Sequence, residues 1–260
     1  WNLELARKIV ANHGKRDLIS SSNCICHIQD LEDAFSAVYE CITDNGVFVF
    51  EDPSLIRMLE RVSYDQIYDE HAHIFSVTAL QNLLNRSGLE IFRVENLDVH
   101  GGSNRIYACK QGTRKIENSV VENLNIEQKY GIGDLTTYRE FAKKVERSKD
   151  ALINLLTSLK DEGRKIVSYG ATSKSTTVFN YCSIGPELID YIVDTTKDKQ
   201  GKLSPGAHIP VIAPEKGFDD SVDVAFLGAW NYEKEILTKE DKFLRNGGRF
   251  ITHIPYVRIV

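Results

Sequence analysis

The chain has 260 residues, 42% hydrophobic and 27% charged, with a formal net charge of −5. That length suffices for two hydrophobic cores, and the interspersed charges offer no basic stripe for a phosphate backbone, so nucleic-acid binding is not expected. No apolar stretch approaches the roughly 20 residues that a membrane helix needs, the N-terminus has no apolar signal segment, and the five cysteines sit mostly in apolar runs that suit reduced thiols; a cytoplasmic chain with no membrane partner is expected.

Leu3, Leu5, Ala6, Ile9 and Val10 give residues 2–12 a helical apolar face that ends near Gly14. This opening reads as the middle of a fold, so the chain is expected to begin partway through a domain. A short buried strand follows at 17–21, then a helix at about 30–43 and a strand at 46–51. The pattern continues with a helix at 77–86 closed by Gly88, and with strands at 89–96 and 105–109 around the loop His100-Gly101-Gly102-Ser103. Strand, helix, strand, helix and two strands describe the second half of a doubly wound sheet with an antiparallel edge.

Residues 111–133 read as a polar stretch, and 138–159 as a long amphipathic helix ending at Gly163. From Lys165 the alternation restarts: strand 166–169, a turn at Gly170, helix 174–181, strands 189–193 and 222–227, a helix and a last strand at 250–253. The expected class is therefore α/β, with residues 1–112 as the half-sheet unit, 113–163 as a connecting segment and 164–260 as a smaller Rossmann-like domain.

Several of the polar groups fall where α/β sheets gather their ligands. Asn23 and His27 lie in the loop after the first strand, at the carboxyl end where such sheets bind ligands, although His27 taken alone reads equally as a surface histidine near a helix start. Tyr68, Glu70 and His71 follow Glu51-Asp52-Pro53 and form an acid/base candidate, because imidazole exchanges protons near neutral pH and a carboxylate can orient it. Tyr68 alone would more often be packing. His71 and His73 make a His-x-His pair, but no third ligand stands at a defined spacing and Cys24-x-Cys26 lacks a second pair, so no metal is expected.

The loop at 100–103 reads as a tight turn, a hydrolase oxyanion loop or a substrate-contacting turn. No G-x-S-x-G elbow occurs in the chain, which removes the hydrolase reading and leaves a turn placing His100, Ser103, Asn104 and Arg105 near substrate. Tyr169-Gly170-Ala171-Thr172-Ser173-Lys174-Ser175 leads from strand into helix, where backbone N–H groups and the Lys174 charge favour an anion. A glycine at such a turn is also common in purely structural Rossmann units, and both readings stay open.

In order and spacing, Asn23-x3-His27-Ile28-x-Asp30-Leu31, Tyr68-x-Glu70-His71 with Phe75-Ser76, His100-Gly101-Gly102-Ser103-x-Arg105 and Tyr169-Gly170-Ala171-x-x-Lys174 resemble one family. Asp194 with Lys199-Gln200-Gly201, Pro205-Gly206-x-His208-Ile209-Pro210 and Ala229-Trp230-Asn231-Tyr232 extend the likeness over nearly the whole chain. The family is that of the S-adenosylmethionine-dependent C-methyltransferases of nucleotide-linked deoxysugars. Its members carry an N-terminal zinc module and a Gly-rich cofactor turn that these 260 residues do not contain, so the chain resembles a C-terminal piece. Asp69 and Asn104 depart from the residues frequent in relatives, histidine and leucine.

The resemblance implies S-adenosylmethionine as cofactor, zinc only in the upstream module, and a nucleotide-diphosphate 4-ketosugar as partner. It implies His71 as the base that removes the proton beside the keto group, Tyr68 and His27 as stabilisers of developing charge, and Glu70 as the group that orients an imidazole. Asn23 would touch the cofactor, His100, Ser103, Asn104, Arg105, Gly170 and Trp230 the substrate, and Lys174 and Ser175 the diphosphate. Two alternatives stand beside this: a nucleotide-sugar binding module without activity, and a hydrolase that would need a metal on His71 and His73.

Overall fold

Apolar side chains at 31, 35 and 38 put one face of a helix against a sheet, and alternation at 48 and 50 puts the matching strand face against that helix. In the computed structural model, which describes residues 1–260, the chain forms two units: residues 1–59 with 69–138, and residues 60–68 with 139–260. The expected connecting segment 113–163 is divided between them, and residues 60–68 join the second unit rather than the first.

The first unit contains α1 (Leu3–His13), β1 (Arg16–Ser22), α2 (Leu31–Cys41), β2 (Ile42–Pro53), most of α3 (Leu55–Arg61), α4 (Val77–Arg86), β3 (Leu89–Leu97), β4 (Ser103–Lys110) and α5 (Asn118–Tyr130). Its sheet has the order β1-β2-β4-β3, with β1 and β2 parallel and β4 antiparallel to both neighbours. Phe35 of α2 meets the stacked rings of Phe48 and Phe50 at 6.4 and 6.2 Å, and all three are buried. Asp30 caps α2 by accepting from Asp33 N–H at 3.0 Å, and Ser76 caps α4 by accepting from Ala79 N–H.

Two expectations are corrected here. The strand expected to be buried at 17–21 is an edge strand paired only with β2, and its Leu18 is 62% exposed. The polar stretch 111–133 contains α5, whose Glu127 is buried and accepts from the Val77 and Thr78 N–H groups at 2.6 and 2.8 Å. A carboxylate from one helix thus satisfies the orphan donors at the start of another.

The second unit contains most of α6 (Leu135–Asp161), then β5 (Ile166–Tyr169), α7 (Ser173–Cys182), β6 (Ile192–Val193), β7 (Val211–Ile212), α8 (Pro214–Gly217), β8 (Val224–Leu227), α9 (Glu233–Lys239), α10 (Asp241–Arg245), β9 (Arg249–Thr252) and β10 (Arg258–Ile259). The strands run β10-β9-β8-β5-β6-β7 and all are parallel except β10. The order reverses at β5, which is the Rossmann-like arrangement expected. Val145, Leu152 and Leu156 of α6 pack with Phe179 of α7 and Phe226 of β8 in one core. No helix of the chain is long and apolar enough to cross a membrane.

Residues 60–68 enter this unit through a buried polar cluster. Asp65 is fully buried; its Oδ2 accepts from Trp230 Nε1 at 2.5 Å and lies 3.5 Å from His253 Nε2. Tyr64 and Phe226 close over the His253 ring at centroid distances of 5.5 and 5.6 Å.

Candidate functional site

In the first unit the strand ends converge. Ser22 of β1 is in register with Glu51 of β2, and Asp52 with Asn104 of β4, so the loop after β1 and the turn before β4 share one end of the sheet. Asn23 turns the chain out of β1 with φ 48°, a left-handed geometry that asparagine tolerates, and its N–H donates to Glu51 O at 2.7 Å. A 3-10 turn over Ile25–His27 then buries Cys26 and exposes His27.

The segment carrying His71 is tied to this turn. His27 Nδ1 lies 2.5 Å from Glu70 O, and His73 N–H donates to Cys26 O at 3.1 Å. A carbonyl can only accept, so Nδ1 carries the proton in this contact. The rings of His27 and His71 are 5.1 Å apart at 53°, and the ligating atoms of Cys26, His27 and His71 all lie within 4.8 Å of one another. The carboxylate of Glu70 was expected to orient an imidazole; the atom that meets His27 is its main-chain oxygen, while the residue itself is exposed.

Asp52, 3% exposed, accepts from Cys26 N–H at 3.2 Å, and its second oxygen has no partner. Burial raises its carboxyl pKa against the lowering effect of the nearby Cys26 thiol and N–H. Burial and then the Asp52 carboxylate push the Cys26 thiol far above its ordinary range. Neither residue was singled out from the sequence, where Cys26 reads as a structural thiol and Asp52 only as part of Glu-Asp-Pro.

The turn at 100–103 is present. His100 has φ 52°, and Gly102, with φ 113°, packs so closely on Arg57 that a Cβ would sit 2.6 Å from that side chain. Ser103 is fully buried with its hydroxyl near Val99 O at 3.3 Å, and Asn104 is buried beside it. Arg105 donates to Glu51 at 2.8 and 3.1 Å and to Glu95 at 3.4 Å; the Glu51 carboxylate raises its pKa further. The guanidinium is thus held along the sheet by two carboxylates.

In the second unit, the turn from β5 into α7 is closed by its own groups. Asp194 accepts from Ala171 N–H at 2.8 Å, and Thr172 and Ser175 form a capping box in which Ser175 Oγ accepts from Thr172 N–H. Ser175 is 1% exposed and its hydroxyl also faces Gly170 O and Thr172 O, so it shapes the turn. Lys174 projects its ammonium to 5.6 Å from the Tyr68 ring centroid. Trp230 is buried with its indole N–H on Asp65. Gly228, at the end of β8, lets its strand approach β5: a Cβ there would meet Gly170 O at 2.4 Å.

At the carboxyl ends of β5 and β6 lies a cavity of about 240 Å3 lined by residues that include Gly170, Asp194, Tyr232, Ile236 and Lys239. Burial raises the Asp194 carboxyl pKa, but the hydroxyl and N–H of Thr196, the Ala171 N–H and Lys199 outweigh it and hold the group below its ordinary value of 3.8. A depressed folded-state pKa contributes stability that is present above the unfolded value and is lost as pH falls through the folded one. Melting curves of wild type and Asp194→Asn should therefore differ at neutral pH and converge below pH 3.8; a gap that persists at low pH means the loss comes from packing.

The half-sheet and the Rossmann-like unit form a mixed α/β architecture consistent with a methyltransferase fold. A family model described as "Methyltransferase domain" matches residues 3–94, and one described as "C-methyltransferase C-terminal domain" matches residues 98–255. The chain belongs to this C-methyltransferase family. It is 35% identical over 261 residues to the C-methyltransferase NovU of Streptomyces niveus, an alignment covering 100% of this chain and 62% of that protein. The chain thus spans less than two thirds of the length of this relative.

Proposed function

We propose that the chain is part of an S-adenosylmethionine-dependent C-methyltransferase that acts on the carbon beside the keto group of a nucleotide-linked 4-keto-deoxysugar. The observation that carries this reading is the His27–His71 pair at the end of the first sheet, with the His27 ring held by the Glu70 carbonyl. The family match supports the reaction class. A 4-ketosugar has an acidified carbon–hydrogen bond next to its carbonyl, and an imidazole is the group suited to take that proton near neutral pH.

In this reading His71 removes the proton and holds it while an enolate forms on the sugar. His27, as an imidazolium with Nδ1–H on the Glu70 carbonyl and Nε2–H left to donate, and the phenol of Tyr68 stabilise the charge that develops on oxygen. S-adenosylmethionine, when bound, supplies the electrophilic methyl group. The residues present fit one end of such a cofactor: Asn23 stands at the carboxyl end of β1 with its backbone pinned to Glu51, and its side-chain amide has only a 3.3 Å contact with Ser22. Holding two reactants in near-attack geometry is worth up to roughly 7–11 kcal/mol, so positioning does most of the work once the enolate exists.

The nucleotide is assigned to the second unit, where the cavity beside Gly170 and Asp194 lies next to the Lys174 turn. The test is to incubate the protein with a nucleotide-linked 4-ketosugar in deuterated buffer and follow hydrogen loss beside the carbonyl by NMR. Deuterium entering that position supports the reading. Tight nucleotide-diphosphate binding with no exchange reduces the chain to a binding module.

A further inference from the structure

We propose that Cys26, His27 and His71 form a binding site for a borderline-soft divalent cation, Zn2+ in particular, and that its capture withdraws His71 from proton transfer. The metal-binding half is independent of the proposed function, whereas the inhibitory half rests on it. Thiolate and imidazole are the ligand types such ions prefer over carboxylate cages. The Cys26 sulfur and one ring nitrogen of each histidine already lie within 4.8 Å of one another. Tetrahedral zinc bonds of about 2.0–2.3 Å bring such atoms to roughly 3.3–3.6 Å, a closure within reach of side-chain rotation.

The outer partners point the same way. His27 donates Nδ1–H to the Glu70 carbonyl, which leaves Nε2 as the ligating atom and fixes the ring, as at established metal sites. Asp52, buried against Cys26, has one oxygen on the Cys26 N–H and another with no partner. A buried carboxylate oxygen without a donor is costly unless a cation completes it. The charges close: a divalent ion, one thiolate, two neutral imidazoles and the Asp52 carboxylate sum to zero. On binding, the Cys26 S–H bond breaks, a sulfur–metal bond forms and the proton passes to solvent. His73, the partner that spacing suggests for His71, is instead stacked on Phe75 and outside this group.

Cobalt(II), which reports thiolate ligation by a near-ultraviolet charge-transfer band, tests the site. Titration should give that band in wild type and in Cys24→Ser, whose thiol is exposed, and should lose it in Cys26→Ser, with zinc displacing the cobalt. Exposed His27 changed to Gln should weaken cobalt binding by at least about tenfold with an unchanged circular dichroism spectrum. A band that survives in Cys26→Ser, or none in wild type, overturns the site. Zinc should also suppress solvent exchange of the ketosugar proton, and Cys26→Ser should need at least about tenfold more zinc for the same suppression. Exchange that saturating zinc leaves untouched overturns the inhibitory half. No exchange even without zinc overturns the proposed function and leaves the cobalt spectrum to decide the site.

Discussion

Replacing His71 with asparagine is expected to abolish solvent exchange of the ketosugar proton and methyl transfer together, each by roughly 10²–10⁴-fold, the range by which a positioned general base accelerates proton transfer. Asparagine keeps polarity and much of the size but has no basic nitrogen. The backbone tie from His73 N–H to Cys26 O and the Glu70 carbonyl on His27 do not involve the His71 ring, so the segment should keep its course. The two readouts separate roles: loss of methylation with exchange retained would remove His71 as the base and assign it to holding the reactants.

The second large effect concerns stability. Trp230→Phe keeps an aromatic ring but deletes the N–H that reaches Asp65 Oδ2, leaving a fully buried carboxyl whose other oxygen has no partner and which stands 3.5 Å from His253 Nε2. A stranded buried acceptor costs about 1–3 kcal/mol, more if charged. Urea unfolding should show a loss at or above the upper part of that range. Asp65→Ala alone should also be costly, and the double variant should lose less than the sum, because the two groups stabilise each other. A Trp230→Phe midpoint indistinguishable from wild type would show the indole contributes only as a ring.

Much of the fold was legible because period and punctuation agree. The helix expected at 77–86 and the strand at 166–169 match α4 and β5 to the residue, since Ser76 caps one and Gly170 ends the other. The helix α5 was hidden by polarity: only Val120 and Glu127 are buried in it, and a buried glutamate does not announce itself in an apolar pattern. Leu18 misled for the opposite reason: Leu18 and Ile19 are the two apolar residues of a strand read as buried, while β1 pairs only with β2.

Of the candidate site, the sequence singled out His27 and His71, and the structure brings their rings together. Cys26, Asp52 and the contact of the Glu70 carbonyl with His27 were not foreseen, because they depend on a register between segments 25–27, 52 and 70–73 that spacing along the chain does not encode. The capping role of Ser175 was likewise invisible, since a Thr-x-x-Ser pattern serves an anion site and a self-closed turn equally well.

The loan of residues 60–68 to the second unit bears on how the polypeptide is made. The Asp65–Trp230 bond spans 165 positions, so the segment emerges from the ribosome long before its donor exists and must wait, unburied, while the intervening half-sheet condenses. The cost of closing so long a loop grows only logarithmically with length, which makes the delay a matter of kinetics more than of equilibrium. Cutting a gene at codon 139 would therefore yield a downstream product missing one wall of its own interior, and an engineer seeking a stand-alone version would have to graft the nonapeptide back.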